Sequence, residues 1–429
     1  MKIFKFGGAS VKNGQAVKNI VNVLQQEGAK NTLIVISAMG KMTNAFEKII
    51  DSYYKNTPNL EKNIELVKIF HFQIINELFE NPNPLIIEIE QLFRQLSGFL
   101  ISNNINDYNY IYDQIIGYGE LLSTKIISTY LNKAGITNNW IDVRNYIKTD
   151  DNYRDAHVSW EDTLSNISGL DKNQLYITQG FLGSNPNNNT TSLGREGSDY
   201  TAAIFAFCLD AKSLTIWKDV DGVLNADPRY FEETQLLEQI SYSEAIEMAF
   251  YGASVIHPKT LKPLENKNIP LFVRSFTNIK SKGTIVGKGK HLVPETPCFI
   301  LKQQQILVSV SALDFSFMLE HNLSDVFKIL HSHKLKVNLI QNSALSFSIC
   351  IEDKFNNFNA FLKDLKLKYH VNYWDNAILY TVRHSTKNAI EKIENKRKVL
   401  LKQATQNTVQ IVVKSQNKIP VFVNSQTKN

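Results

Sequence analysis

The stretch that decides the fold is residues 2–36, KIFKFGGASVKNGQAVKNIVNVLQQEGAKNTLIVI. It opens with a strand-like segment at 2–6, and a glycine pair follows that segment directly. Apolar residues then recur at helical spacing, at Val17, Ile20, Val21 and Leu24. A second apolar run, TLIVI at 32–36, predicts another strand. A strand, a helix and a strand in this order predict a parallel β-α-β unit.

Strand-like and helical segments continue to alternate to about residue 286. The segments WIDV at 140–143 and LYITQGFLG at 175–183 are strand-like, whereas long helical periodicities run from about 44 to 116. We therefore predict an α/β domain over 1–286, with a mostly parallel sheet, helices on both faces and a helical insertion at about 44–116. The segment GTIVGKGKHLVPETP is rich in glycine, proline and lysine, which predicts a linker.

A different pattern follows this linker. Residues 304–377 alternate in the order β-α-β-β-α-β, which predicts a ferredoxin-like unit. Residues 378–429 continue with a strand, a charged helix from about 387 to 403 and another strand. We interpret 287–303 as the linker plus the first strand of a second, similar unit, and 378–429 as the remainder of that partial unit.

Composition excludes several classes of protein. The chain has 429 residues, of which 43% are hydrophobic and 21% charged, and these fractions exclude a mostly disordered, collagen-like or coiled-coil chain. The cysteines, Cys208, Cys298 and Cys350, are too far apart for a disulfide framework or a zinc motif. The net charge of +6 is spread along the chain, so we expect no nucleic-acid partner.

Membrane insertion and export are not expected either. No apolar stretch approaches the ~18 residues that a spanning helix needs. The first residues, MKIFKFGGAS, reach a glycine pair instead of an apolar signal region. A cytoplasmic protein is the prediction.

The first cluster that could support chemistry comprises Lys5, Gly7, Gly8 and Ser10. Glycines let backbone N–H groups approach an anion, the lysine adds positive charge, and the following helix contributes its N-terminal dipole. These are attributes of a phosphate site, although a glycine pair also serves an ordinary tight turn.

A second cluster, LGREGSD at 193–199, precedes a predicted helix that begins near Ser198. Arg195 can bind a carboxylate through two parallel hydrogen bonds. An ordinary helix cap would account for Ser198 and Asp199 but not for an arginine between glycines, so this pattern favours a binding site.

Two further clusters follow predicted strands. Lys218, Asp219, Asp227 and Arg229 suit a nucleotide and its magnesium, while a solvated turn is the alternative, especially for Asp221. Ser37 and Thr43 follow the second strand, and Glu120 begins a helix, so these three could line a substrate pocket. The alternative for Glu120 is simple exposure to solvent.

Six segments together resemble the aspartate kinases. They are KFGGAS, SAMGKMTN, LGREGSDYTAA, WKDVDGVLNADPR, YGASVIHPKTL and GTIV, in this order. The resemblance covers nearly the whole chain and implies an amino-acid-kinase fold with C-terminal ACT-like regulatory units. It also implies that ATP, with Mg²⁺, phosphorylates the β-carboxylate of L-aspartate in lysine, threonine and methionine biosynthesis.

The resemblance implies a role for each matching residue. Lys5, Asp199 and Arg195 would be catalytic. Aspartate would lie among Ser37, Thr43, Glu120, Phe181, Arg195 and Ser198. ATP would contact Lys5, Gly7, Gly8, Ser10, Lys218, Asp219, Asp227 and Arg229. A lysine or threonine effector would contact Met318, Asn322, Leu323, Asn338, Leu339 and Ser343.

The chain departs from the family pattern at several of its motif positions. Ala9 stands where many members have threonine, and Glu196 replaces a common glycine. The other departures are Leu224 and Ser254 in place of tyrosine and lysine, and Asn322 and Asn338 in place of the glycine and aspartate of lysine-sensitive relatives.

Four alternatives remain open at the level of sequence. Acetylglutamate, glutamate and uridylate kinases share the implied fold but do not combine this arginine segment with an ACT-like tail. A catalytically inactive amino-acid sensor that works through the ACT-like units is the fourth. The unpaired edges of such units lead us to expect a homodimer or a higher homo-oligomer.

Overall fold

The computed structural model describes residues 1–253, 256–314, 316–395 and 397–415. These residues form two compact units. The first unit comprises Met1–Val223, Leu236–Ile246 and Ile256–Leu292. The second comprises the described residues within Leu224–Gln235, Glu247–Val255 and Val293–Asn429. The domain boundaries expected from the sequence stay predictions.

The helices and strands have the following bounds. The α-helices are α1 (Gly14–Glu27), α2 (Met42–Tyr54), α3 (Leu60–Leu78), α4 (Asn83–Ser102), α5 (Tyr108–Ile116), α6 (Tyr118–Lys133), α7 (Trp160–Ser168), α8 (Gly197–Cys208), α9 (Tyr242–Tyr251), α10 (Pro258–Lys267), α11 (Glu320–Ser332), α12 (Phe358–Lys366) and α13 (Lys387–Glu394). The strands are β1 (Lys2–Phe6), β2 (Thr32–Ile36), β3 (Asn139–Trp140), β4 (Leu175–Gln179), β5 (Leu182–Ser184), β6 (Thr190–Ser192), β7 (Ser213–Lys218), β8 (Val223–Leu224), β9 (Leu236–Leu237), β10 (Gln239–Ser241), β11 (Leu271–Ser275), β12 (Thr284–Gly287), β13 (Cys298–Ala312), β14 (Lys336–Asn342), β15 (Phe347–Glu352), β16 (Tyr369–Arg383), β17 (Val399–Ala404) and β18 (Thr408–Lys414).

The first unit is built on a mostly parallel sheet, as the sequence predicts. Its strand order is β10-β12-β11-β7-β1-β2-β4-β3, so β1 lies inside the sheet, parallel to both β2 and β7. Lys5 pairs in register with Val35 on one side and Ile216 on the other. Such central strands are apolar because both faces of the sheet are covered. The ends of β1, β2 and β7 therefore meet at one edge of the sheet.

Two strand predictions in this unit are wrong in extent. β3 ends at Trp140, because the Asp142 carboxylate accepts a hydrogen bond from the Arg144 N–H at 3.0 Å and turns the chain. The segment 175–183 is two strands rather than one, and the break falls at Phe181, whose φ is 72°. The predicted linker also contributes a strand, since β12 pairs with β11.

The second unit contains a six-stranded sheet in the order β14-β15-β13-β16-β18-β17, in which all neighbouring strands are antiparallel. The order β13-α11-β14-β15-α12-β16 confirms the ferredoxin-like pattern. The helix predicted to reach residue 403 is wrong, since α13 ends at Glu394. Residues 399–404 instead form β17, which pairs with the edge of β18 and satisfies its backbone hydrogen-bonding groups. Lys396 and residues 416–429 lie outside the described residues.

His71, on α3, is a buried histidine. Its Nδ1 atom lies 2.8 Å from the Val67 carbonyl oxygen, and its side chain is fully buried. Burial lowers the pKa of His71 from 6.5 to about 4. Between about pH 6.5 and pH 4, His71 is therefore protonated in the unfolded chain but neutral in the folded protein.

We expect His71 to destabilise the fold on acidification. Between pH 7 and pH 4 it should reduce the free energy of unfolding by about 3 kcal/mol, because its folded pKa lies below its unfolded value. Denaturant titrations at several pH values measure this. The matched control is His71→Leu, which removes the titrating ring, so its stability should fall less over the same range. Equal pH dependence of both proteins would contradict the assignment.

Candidate functional site

A cavity of about 420 Å³ opens in the first unit. Side chains and backbone from several separate segments line it. They are Lys5, Ser37, Thr43, Tyr112, Glu120, Arg154, Phe181, Gly194, Arg195, Glu196, Gly197, Ser198 and Asp199. The cavity therefore unites the end of β1, the segment after β2, the start of α6 and the start of α8.

Lys5 and Asp199 form an ion pair inside this cavity. The Lys5 Nζ atom lies 2.7 Å from Asp199 Oδ1, and the two side chains are only 11% and 6% exposed. Asp199 occupies the first turn of α8, where the helix dipole favours a negative charge. The ion pair holds the lysine ammonium at the wall of the cavity, where a bound anion could replace Asp199 as its partner.

The glycine pair after β1 makes a tight turn against the segment after β2. A side chain at Gly8 would lie 2.7 Å from the Gly40 carbonyl oxygen, so only glycine fits this approach. Gly7 lies beside Lys5, because a Cβ atom there would be 3.3 Å from the lysine Nζ. The Ser10 hydroxyl donates to the Trp217 carbonyl oxygen at 3.2 Å, and its residue is 1% exposed. Ser10 therefore braces the turn through its side chain.

The segment around Arg195 is shaped by close backbone approaches. Gly197 begins α8, and a Cβ atom there would lie 2.6 Å from the Phe181 ring. The Glu196 carboxylate accepts a hydrogen bond from the His257 N–H at 2.9 Å, which ties this segment to the start of α10. The Arg195 side chain is exposed at the cavity. The rigid backbone thus presents the guanidinium to a ligand.

Glu120 is buried, so the alternative of simple exposure to solvent is wrong. Its residue is 3% exposed, and its Oε1 atom accepts a hydrogen bond from the Ala38 N–H at 3.3 Å. Its Oε2 atom has no hydrogen-bond partner among the described residues. Burial raises the pKa of Glu120 to about 8, so at neutral pH the carboxyl group is mostly protonated. A cationic ligand group beside it would favour the ionised form.

All six residues that the sequence predicts around the substrate line this one cavity. Among the predicted nucleotide residues, only Lys5 does so. Lys218 ends β7 and is half-buried, and Asp219 after it is exposed, as is Asp221. Asp227 and Arg229 belong to the second unit, where they bind each other at 2.5 Å. Ser254 lies outside the described residues.

The predicted effector residues lie in the second unit but in different environments. Met318 and Leu323 pack in one apolar cluster, whereas Leu339 packs in another. The Asn338 side chain accepts from Lys302 Nζ at 2.8 Å and donates to Gln305 Oε1 at 2.7 Å. The Asn322 side chain accepts from the Leu319 N–H, and the Ser343 hydroxyl contacts Ser346. Their joint role in binding an effector stays a prediction.

Sequence reasoning missed two residues of the cavity, Tyr112 and Arg154. The Arg154 guanidinium carbon lies 4.5 Å from the centre of the Tyr112 ring. A signal was present, since Tyr108 and Tyr112 are four residues apart on a predicted helix and share one face. Nothing local to Arg154, however, indicates that its side chain meets that face.

No group of three or more His, Cys, Asp or Glu side chains within the described ranges is arranged to hold a metal ion. None of the described helices combines the length and apolar character needed to cross a membrane.

Comparison with known proteins places these features in context. Residues 1–275 match the model of the amino acid kinase family. The lysine-sensitive aspartokinase 3 of Escherichia coli is 31% identical over 82% of this chain and 78% of its own length. A bifunctional aspartokinase/homoserine dehydrogenase of Buchnera aphidicola is 31% identical over 86% of this chain, but the chain spans only 47% of that relative.

Solved structures of E. coli aspartokinase III resemble the fold. The complex with lysine and aspartate, described as the T-state, has a TM-score of 0.80, 27% identity and 96% coverage of both chains. The complex with aspartate and ADP, described as the R-state, has a TM-score of 0.79, 26% identity and the same coverage.

Proposed function

Since this chain belongs to the amino acid kinase family, among its aspartokinases, we propose that it phosphorylates the β-carboxylate of L-aspartate with ATP. The products are 4-phospho-L-aspartate and ADP, at the entry to lysine, threonine and methionine biosynthesis. One observation carries the proposal. Lys5 near the end of β1 and Arg195 just before α8 line the same cavity, so a phosphate and a carboxylate can be bound side by side.

The reaction needs alignment more than acid–base chemistry. An ordinary aspartate carboxyl has a pKa of about 3.9, so the β-carboxylate is already ionised at neutral pH and needs no general base. A carboxylate oxygen forms a bond to the γ-phosphorus, and the bond from that phosphorus to the β,γ-bridging oxygen breaks. ADP leaves with the electron pair. The protein must hold both reactants in line and offset the charge of the phosphoryl group.

Different residues of the cavity are proposed to bind the aspartate and the phosphoryl group. Arg195 binds a substrate carboxylate, and Glu120 receives the substrate ammonium, which favours the ionised carboxylate. Lys5 leaves Asp199 for the transferring phosphoryl group. The remaining substrate contacts are Ser37, Thr43, Phe181 and Ser198, all of which line the cavity.

The nucleotide is proposed to approach from the glycine-turn side. Backbone N–H groups at Gly7 and Gly8 contact its phosphates, and Lys218 and Asp219 lie at the end of β7, next to β1 in the sheet. Asp227 and Arg229 retain a proposed role in nucleotide binding. Mg²⁺ bound with the nucleotide would offset part of the charge of its phosphates.

A coupled assay tests this function. Wild-type protein should release ADP only when aspartate is present, and should form aspartyl hydroxamate when hydroxylamine traps the product. Glutamate, acetylglutamate and uridylate serve as control acceptors, and activity with one of them alone would favour that related kinase. A protein that binds lysine or threonine but gives neither signal would instead be an amino-acid sensor.

Regulation through the second unit is also proposed. The aspartokinase III structure described as the T-state contains lysine, which supports an amino-acid effector at the ACT-like unit of this chain. A cytoplasmic homodimer or higher homo-oligomer, paired through these units, completes the proposal, and light scattering that shows only monomer would oppose it.

We expect lysine, threonine or the two together to lower activity at fixed aspartate. The measurement is the rate of ADP release during titration with each amino acid and with both. Alanine, which lacks the longer side chain, is the control. A rate that no addition changes would contradict regulation without affecting the proposed reaction.

A further inference from the structure

Arg154 is the charged group of the cavity that the predicted site does not use. Its guanidinium carbon lies 4.5 Å from the centre of the Tyr112 ring and 5.5 Å from that of Tyr108. Its backbone has a φ of 71°, a left-handed conformation that is uncommon for a residue other than glycine. The Asp113 carboxylate accepts a hydrogen bond from its N–H at 2.9 Å and holds the backbone in place. An arginine kept in such a conformation at a cavity wall indicates a use for its side chain.

The two tyrosines are fixed at their far ends. The Tyr112 hydroxyl donates to Glu47 at 3.1 Å, and the Tyr108 hydroxyl donates to Asp51 at 3.0 Å. The two tyrosines are four residues apart on α5, and the two carboxylates are four residues apart on α2. Residues at this spacing share one face of a helix, so both hydrogen bonds form between the same two helix faces. We call Tyr108 and Tyr112 the aromatic clamp. It restricts the guanidinium by cation–π contact before any ligand binds.

The clamp leaves the hydrogen-bond donors of Arg154 available. A guanidinium carries its N–H donors in a planar fork, and a cation–π contact is not itself a hydrogen bond from them. Its only hydrogen-bonding side-chain partner among the described residues is Asn109, whose amide oxygen lies 3.4 Å from Nη1. Within the described part of the chain, no carboxylate forms an ion pair with it. The guanidinium is therefore positioned without a direct ion-pair partner, and the Asp113 carboxylate interacts with it electrostatically.

The charges of the cavity point to the ligand. Three cations line it, at Lys5, Arg154 and Arg195. Asp199 pairs with Lys5, and Glu120 is mostly protonated at neutral pH. The third carboxylate of the lining, Glu196, accepts a hydrogen bond from the His257 N–H. Neither guanidinium of the lining forms an ion pair with a described carboxylate, and L-aspartate carries two carboxylates. Arg154 shares the cavity with the whole predicted substrate set, whereas Gly7 and Gly8 of the phosphate turn do not line it.

We infer that Arg154 binds a carboxylate of the amino-acid substrate, as a second arginine beside Arg195, and that the aromatic clamp positions it for this contact. The inference rests on the proposed function. A phosphate of the nucleotide is the other anion that a guanidinium could bind here, and separate Michaelis constants for the two substrates distinguish them.

The decisive variant is Arg154→Gly. Glycine accepts a φ of 71° without strain, so the variant removes the guanidinium while the fold is kept. We expect the KM for aspartate to rise about tenfold or more, because a charge-assisted hydrogen bond is lost. kcat should stay within about threefold and the KM for ATP within about twofold, and the melting temperature should not fall. Arg154→Lys, which keeps the charge but loses the planar fork, should give an intermediate KM.

A matched control separates the backbone effect from the side-chain effect. Asn31 also has a left-handed backbone, with a φ of 57°, and is exposed outside the cavity, so Asn31→Gly should leave both Michaelis constants unchanged. Calorimetric titration of wild type and Arg154→Gly with aspartate alone gives a readout that does not depend on turnover, and should show the same loss of affinity.

Each other outcome overturns the inference in a distinct way. An unchanged KM and affinity for aspartate would show that Arg154 does not bind the substrate. A rise in the KM for ATP alone would assign it to phosphate. A joint fall of kcat and melting temperature, without a change in aspartate affinity, would make it structural. If wild-type protein neither binds aspartate nor turns it over, the proposed function itself fails.

Discussion

Replacing Lys5 with alanine should lower kcat for aspartate phosphorylation about a thousandfold. The ammonium group is almost enclosed by the cavity wall, and charge is screened least where water is excluded. Its removal would take away the cation that we propose binds the γ-phosphoryl group. The rate of ADP release at saturating ATP and aspartate measures the effect. A loss of less than about tenfold would contradict the assigned role.

The control for Lys5→Ala must separate lost chemistry from lost folding. Removal of the lysine leaves Asp199 buried without its partner, which by itself costs stability. The double variant Lys5→Met with Asp199→Asn removes both charges, so its melting temperature should recover while its activity stays absent. The control is Lys2→Ala: Lys2 lies on the same strand but outside the cavity, so this variant should retain wild-type activity.

Replacing Arg195 with alanine should raise the KM for aspartate about a hundredfold. The guanidinium faces the cavity from a segment fixed by Gly197 and by the bond from the His257 N–H to Glu196. If Arg195 binds a substrate carboxylate as proposed, its loss would remove two parallel charge-assisted hydrogen bonds. The KM for ATP should change less than about threefold. Initial rates over a matrix of aspartate and ATP concentrations give both constants.

A conservative variant and a control variant test whether the effect on the KM for aspartate is specific to the Arg195 guanidinium. Arg195→Lys should bind aspartate better than the alanine variant but worse than wild type, because lysine keeps the charge and loses the fork. The matched control is Arg94→Ala, which removes an exposed arginine on α4 and should leave both Michaelis constants unchanged. An unchanged KM for aspartate in Arg195→Ala, with the protein folded, would remove Arg195 from the substrate site.

The parts of the fold that the sequence predicts are those with strong local signals. The unit β1-α1-β2 has a strand period, a glycine turn and a helical period within 35 consecutive residues. The segment around Arg195 is likewise readable, because an arginine between glycines at a helix start has no ordinary structural explanation. In both segments, local preference and tertiary packing agree.

The parts that the sequence does not predict depend on distant partners. The residues of β17 carry apolar side chains at a spacing that also suits a helix, and pairing with the edge of β18 decides between the two. Glu120 is buried only because α6 packs beneath the segment after β2, which no local pattern reveals. Arg154 meets Tyr112 across 42 residues of chain. The site's charges were therefore predictable in part, and their surroundings were not.

The most direct test of the account is a crystal structure of this protein with aspartate and ADP bound together. We predict aspartate in the cavity, with one carboxylate within about 3 Å of the Arg195 guanidinium and the other directed at the phosphates beside Lys5. Aspartate bound away from Arg195, or ADP bound where its phosphates cannot approach Lys5, would contradict the claim that one cavity aligns both reactants.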